Sequence, residues 1–107
     1  MTIKATEVGQ PFRYATYFDL SANTALSLKF TDPNGDVTTI SNPRVTAPAT
    51  PVVTPIGTLA ASTYMEFTTE ATDFTVSGTW TVCGTYTEGA TKLLYGDDAT
   101  FTIGEAC

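Results

Sequence analysis

Alternation of apolar and polar residues is the main pattern of this chain. The segment TALSLKF places Leu26, Leu28 and Phe30 on one side of an extended chain, and Ser27 and Lys29 on the other. A period of two is typical of a strand with one face in a core and the other in water. No window repeats apolar residues at helical spacing over three turns. The pattern therefore predicts a chain of β-strands.

Further strands follow from the same reasoning. In TWTVCGTYT, alternation turns Trp80, Val82 and Tyr86 inward and the intervening threonines toward water. Strands are also expected at Phe12–Tyr17, in STYMEFTT, and in KLLYGDDATFTI. We expect Trp80 to lie at the centre of the core. The other residues expected to face inward are Leu26, Leu28, Phe30, Phe67, Val82, Ala99, Phe101 and Ile103.

Turn signals connect these strands. Asp32-Pro33-Asn34-Gly35 supplies a fixed φ at proline and an easy positive φ at glycine, which predicts a hairpin into Val37–Ile40. EGAT turns the chain after TWTVCGTYT, and Gly96-Asp97-Asp98 predicts a bulge or kink in the returning strand. About seven short strands separated by turns indicate an all-β, two-sheet antiparallel sandwich.

One segment does not follow the alternation. Residues 42–58 contain four of the six prolines, and proline cannot donate a hydrogen bond to a sheet ladder. Their spacing predicts an extended, polyproline-like backbone. Two interpretations remain open: a surface loop or irregular edge strand, or an arm that docks on a neighbouring subunit. The second would use Val45, Val52, Val53 and Ile56, because a purely solvated linker has no need of these side chains.

Length and charge narrow the possible functions. The 107 residues correspond to one domain over residues 1–107. About a fifth of the residues are threonine, a residue suited to the wet face of a sheet. The net charge is −6 and the five basic residues are scattered, which argues against direct nucleic-acid binding. No apolar run is long enough to span a membrane, and MTIKATEVGQPF lacks the apolar region of a signal peptide.

The residues of catalytic and metal sites are sparse. The chain has no histidine, which removes the commonest general base and zinc ligand. The predicted register separates Cys83 from Cys107 by far more than a disulfide allows, so we expect two free thiols. Glu88, Asp97 and Asp98 are acidic neighbours, but charges at a solvated bulge explain them more simply than a calcium or glycosidase site. We therefore expect no catalytic residue, no metal and no cofactor.

A family resemblance extends the prediction. ALSLKFTDPNGDVTTI, together with YMEFTTEATDFTVSGTWTVCGTYTEGA and the closing DDATFTI, resembles small immunoglobulin-like sandwich proteins of tailed bacteriophages. That family has an early DPNG-like turn, a corner of the form xDFxxxGTWT and a closing xTFTI strand. The resemblance covers most of residues 10–104, although the proline-rich segment is longer than expected. The corner residues in this chain are Asp73, Phe74, Gly78, Thr79 and Trp80.

The resemblance implies an immunoglobulin-like sandwich that serves as a structural component of a virion. Such a protein, in a head-decoration, neck or tail accessory position, would contact capsid, portal, neck or tail subunits in many copies or as a homo-oligomer. It would be made in the bacterial cytoplasm and released by lysis, which fits the lack of a signal peptide.

The alternative is a carbohydrate-binding module that adheres to the host surface. Such modules present exposed aromatic rings, for which Tyr14, Tyr17, Tyr64 and Tyr95 are the candidates. An enzyme is a third, more distant interpretation.

Overall fold

A computed structural model describes residues 3–16, 18–55, 57–89 and 92–106. This part of the chain is all-β, with antiparallel sheets and no helix. The predicted all-β class is confirmed. The described residues form nine strands: β1 (Pro11–Ala15), β2 (Ala25–Thr31), β3 (Val37–Ser41), β4 (Val52–Thr54), β5 (Gly57–Leu59), β6 (Tyr64–Thr68), β7 (Gly78–Glu88), β8 (Lys92–Tyr95) and β9 (Ala99–Ile103).

The larger sheet has the order β3-β2-β7, and both β8 and β9 pair with the far edge of β7. The predicted turn joins β2 to β3. Gly35 has a φ of +88°, and the Asp32 side chain accepts hydrogen bonds from the N–H groups of Asn34 and Asp36 at 2.8 and 2.9 Å. Asp32 thus fixes the turn that brings β3 alongside β2, as the sequence predicted.

A bulge divides the strand that returns along β7. Thr85 pairs with Tyr95 and Val82 pairs with Ala99, so three steps along β7 correspond to four steps on the returning strand. The extra residue confirms the irregularity predicted at Gly96-Asp97-Asp98. The Tyr14 hydroxyl donates to the Asp97 carbonyl at 2.6 Å, so a side chain from β1 holds the bulge in place.

The smaller sheet pairs β1 with β6, and the core lies between it and the larger sheet. Phe12 of β1 lies 5.3 Å from Phe30 of β2 and 4.9 Å from Phe101 of β9, measured between ring centroids. The segment between β6 and β7 connects the two sheets, as predicted, and contributes the buried Phe74.

Most of the residues expected to face inward are buried. Trp80 is 3% exposed, its indole N–H donates to the Val76 carbonyl at 2.9 Å, and its ring lies edge-on to Phe74 at 5.2 Å. Phe101 is partly buried. The prediction for Ala99 was wrong: its side chain is exposed because it lies at an open side of the two sheets, beside a groove.

Replacing Trp80 with alanine should lower the free energy of unfolding by about 3–5 kcal/mol, as large aromatic truncations in cores do. The reason is the loss of the contacts with Phe74 and Phe101 together with the indole hydrogen bond. Urea unfolding, monitored by circular dichroism, measures this change in the free energy of unfolding. Thr79→Ala, an exposed neighbour on β7, is the control and should change stability by less than about 1 kcal/mol. Equal effects of the two substitutions would contradict the central place of Trp80.

Candidate functional site

The first part of the proline-rich segment is fixed to the domain by Arg44. Its guanidinium donates two hydrogen bonds to the Asp73 carboxylate at 2.9 and 2.7 Å, and a third to the Thr68 carbonyl at 3.2 Å. It also lies over the Phe67 ring, 5.5 Å from the ring centroid. The segment is therefore attached at the corner between β6 and β7.

The Asp73 carboxylate is largely buried, with a side-chain exposure of 6%, and also accepts a hydrogen bond from the Glu70 N–H at 2.7 Å. Burial opposes its ionisation, but the hydrogen bonds from Arg44 and Glu70 outweigh it and lower the pKa of Asp73. The carboxylate therefore stays charged and keeps its bidentate contact with Arg44 at neutral pH.

The next residues extend the smaller sheet. Thr46 and Glu66 exchange two backbone hydrogen bonds, at 2.9 and 2.8 Å, so the segment follows the edge of β6 opposite to β1. Val45 is 0% exposed and belongs to the core cluster. We expected Val45 to contact a partner, and this placement corrects that expectation, because the domain's own core encloses the side chain.

The second part of the segment forms a hairpin, β4–β5. Val52 pairs with Leu59, Val53 with Thr58 and Thr54 with Gly57, so the extended polyproline-like backbone expected here is wrong for these residues. Prolines are excluded from the ladder as predicted: Pro51 precedes β4 and Pro55 follows it. Ile56, the remaining candidate contact, lies outside the described residues.

The hairpin is exposed and pairs only with itself among the described strands. Val53 is 80% exposed, whereas Val52 is partly buried. Two contacts hold the base of the hairpin: the Tyr64 hydroxyl donates to the Thr50 carbonyl at 2.9 Å, and the Ser62 N–H donates to the Pro48 carbonyl at 2.8 Å. The structure therefore separates the candidate residues: Val45 lies in the core, and Val52 and Val53 lie on a projecting hairpin.

A groove of about 680 Å³ lies beside the hairpin, between β1 and the start of β9. Sequence reasoning missed this groove, because it arises where two strand edges face each other and no local pattern marks it. Its lining includes Phe12, Tyr14, Leu59, Val82, Ala99 and Phe101, and Asp97 and Asp98 lie at its border.

A second exposed feature lies on the outer face of the larger sheet. Tyr95 is 67% exposed and Leu93 is 53% exposed. On the neighbouring strand β7, Thr85 pairs with Tyr95 and Thr87 pairs with Leu93. Tyr14 and Tyr64, two other candidate rings, are buried. Tyr17 lies outside the described residues. Among the described tyrosines, Tyr95 is thus the one whose ring is largely exposed.

Cys83 carries a thiol on β7. The thiol is not in a disulfide, and Cys107 lies outside the described residues. Burial, followed by the nearby Asp98 carboxylate, raises the pKa of the Cys83 thiol, which keeps it protonated and weakly nucleophilic at neutral pH. Within the described ranges, no group of three or more acidic, cysteine or histidine residues is arranged to hold a metal ion.

Comparisons of the chain with protein-family models, with curated proteins and with solved structures gave no match. Among the described residues, no helix has the length and apolar character needed to cross a membrane.

Replacing Asp73 with asparagine should lower the free energy of unfolding at pH 7 by about 1–3 kcal/mol, because hydrogen bonds to a charged group are lost. The folded-state pKa of Asp73 is lowered. Its contribution is therefore complete above the unfolded-state pKa of about 3.9 and disappears as the pH falls through the folded-state value. Urea titrations of the native protein and the variant, from pH 7 down to about pH 2, measure this difference.

Glu70→Gln is the matched control, since Glu70 lies 3.5 Å from Arg44 but its side chain is 63% exposed. It should change stability by less than about 1 kcal/mol. A stability difference for Asp73→Asn that stays constant on acidification would contradict the assigned ion pair.

Proposed function

We propose that this chain is an immunoglobulin-like sandwich that serves as a structural component of a bacteriophage virion. In this proposal it occupies a head-decoration, neck or tail accessory position and acts through contacts with capsid, portal, neck or tail subunits. It is present in many copies or as a homo-oligomer, and is made in the cytoplasm of the bacterial host. It contacts neither nucleic acid nor membrane directly.

The strand arrangement supports the immunoglobulin-like part of the proposal. In such folds, two hairpins joined in one sheet face a second sheet formed by intervening strands. Here the hairpins β2–β3 and β7–β8/β9 lie in one sheet, while β1, β6 and the Thr46 bridge lie in the other. The parallel bridge from Lys4 to Gly104 adds the start of the chain to the edge of the larger sheet. The Asp32-Pro33-Asn34-Gly35 turn joins β2 to β3, and the corner with Phe74 leads into β7.

The observation that carries the partner-binding proposal is the 80% exposure of Val53, on a hairpin that pairs with no other strand among the described residues. A two-stranded hairpin is marginally stable alone, so its persistence depends on what it packs against. The short ordered hairpin also lowers the entropy lost on docking. An apolar side chain in this position gains most when a neighbouring subunit covers it.

Replacing Val53 with serine should lower the number of copies in purified phage particles several-fold, because the docked hairpin loses its apolar contact. The free energy of unfolding should change by less than about 0.5 kcal/mol, since the side chain is exposed. Quantitative mass spectrometry of particles measures the copy number. Val37→Ser, 55% exposed on β3, is the matched control and should incorporate normally. If Val53→Ser folds and incorporates at full copy number, the hairpin is only a surface loop.

A second candidate function, carbohydrate binding in host adhesion, is favoured by the exposed ring of Tyr95. Flat rings stack on sugar faces, and the paired Thr85 and Thr87 on the same sheet face offer hydroxyl groups beside the ring. Leu93 adds apolar surface next to it.

If this second function is correct, Tyr95→Ala should abolish binding on a glycan array. Tyr95→Phe should retain most of it, because the stacking ring is kept. The exposure of the ring means that neither substitution should impair folding. Binding by no glycan on the array, or equal binding by Tyr95→Ala and the native protein, would exclude Tyr95 as a sugar platform.

A further inference from the structure

Within the part of the chain that the structure describes, the outer edge of β1 is an unpaired sheet edge. Among the described strands β1 pairs only with β6. Just beyond its two ends, Thr69 N–H donates to the Gln10 carbonyl at 2.8 Å, and Thr16 N–H donates to the Thr63 carbonyl at 2.9 Å. In an antiparallel ladder the residues that hydrogen-bond to the partner strand alternate. The backbone N–H and C=O groups of the even-numbered residues of β1 therefore point toward β6. The N–H and C=O groups of Arg13 and Ala15 therefore point away from β6.

The opposite wall of the groove is another strand edge. Gly104 donates to the Ile3 carbonyl at 2.9 Å and accepts from the Ala5 N–H at 2.8 Å, so its backbone points away from β7. By the same alternation, Thr100 and Thr102 also direct their backbone groups outward. The bridge at Gly104 covers that end of the edge, while Thr100 borders the groove. The groove thus runs between two edges that carry free hydrogen-bonding groups.

The floor between these edges is apolar. Phe12, Tyr14, Val82 and Phe101 line it, and the exposed Ala99 leaves room above Val82, its partner on β7. The hairpin closes one end through Thr54, Pro55 and Leu59. A narrow apolar floor flanked by backbone donors and acceptors matches an extended peptide, which offers backbone groups at its sides and a side chain toward the floor at every second residue.

The acidic residues at the border of the groove determine which kind of peptide it favours. Asp97 and Asp98 are both exposed and form no salt bridge within the described part of the chain. Arg13, the cation of β1, already pairs with Glu66 at 2.7 Å. The net charge of the whole chain is −6. A second copy would bring like charges together, whereas a basic segment gains from them.

We propose that the groove accepts an extended segment of a partner protein, which adds as a strand along β1. Its alternate apolar side chains contact Phe12, Tyr14 and Phe101, and a lysine or arginine lies next to Asp97 and Asp98. This inference deepens the proposed function, since it rests on the protein acting through contacts with other proteins, and it names a second contact separate from Val53.

The test is selection of peptides from a displayed library of random dodecamers against the folded full-length protein. The enriched peptides should alternate apolar and polar residues, carry a lysine or arginine, and contain no proline in their central part. On binding of a synthetic copy, hydrogen exchange at the Arg13 and Ala15 amides should slow at least tenfold. In the free protein these two amides should exchange faster than those of Phe12 and Tyr14.

Ala99→Arg places a bulky cation over the groove floor and should weaken peptide binding at least tenfold. Thr102→Arg adds the same charge at an exposed position outside the groove and should bind normally. Asp98→Lys reverses the border charge without filling the floor, and keeps the test valid if Ala99→Arg does not fold. It should also weaken binding.

The proposal is overturned if no selected peptide loses binding in Ala99→Arg or Asp98→Lys, or if Arg13 and Ala15 are already protected in the free protein. Its failure can be told apart from failure of the proposed function. Normal particle incorporation of Val53→Ser contradicts the hairpin contact, while the peptide experiment reports on the groove alone.

Discussion

The aromatic cluster between the two sheets is the interaction on which the rest of the molecule depends. Phe12 of β1, Phe30 of β2 and Phe74 of the corner before β7 form a triangle, with centroid separations of 5.3, 5.2 and 5.6 Å. The β1–β6 pair has too few strands to be stable by itself. Packing against the larger sheet supplies the apolar burial that it needs. The corner containing Phe74 also carries Asp73, so the same packing positions the anion that Arg44 binds.

That ion pair explains how one proline-rich segment can be both part of the fold and a projecting element. Arg44, Val45 and Thr46 are fixed by a charge, by the core and by a sheet bridge, respectively. Six residues later the chain begins β4, whose one partner among the described strands is β5. Because the first part cannot shift, the hairpin leaves the domain from a defined place and closes one end of the groove. The position of Val53 is thus set by contacts that Val53 does not itself make.

Local pattern predicted the strands whose two faces differ, and failed where long-range pairing decides. β2 and β7 alternate clearly because one face meets the core and the other meets water. Val45 and Val53 look alike in the sequence, both lying near prolines without periodicity, yet one is enclosed and the other exposed. What separates them is pairing with Glu66 and the contact from Arg44 to Asp73, which join residues far apart in the chain. The groove could not be predicted from the sequence for a related reason: the strands that line it are far apart in the chain.

Sheet edges favour indiscriminate pairing, and the open edge here carries the features that limit it. β1 is five residues long, begins with Pro11 and bears the charged Arg13, three devices by which natural proteins discourage edge-to-edge association. The bulge adds Asp97 and Asp98 across the groove, held there by the hydrogen bond from Tyr14. Together these features disfavour pairing between identical acidic copies more than pairing with a basic segment. Selectivity then follows from repulsion of the wrong partner as well as attraction of the right one. An edge arranged in this way favours a basic strand over an acidic one. The domain can therefore keep an open groove without pairing with copies of itself through this edge.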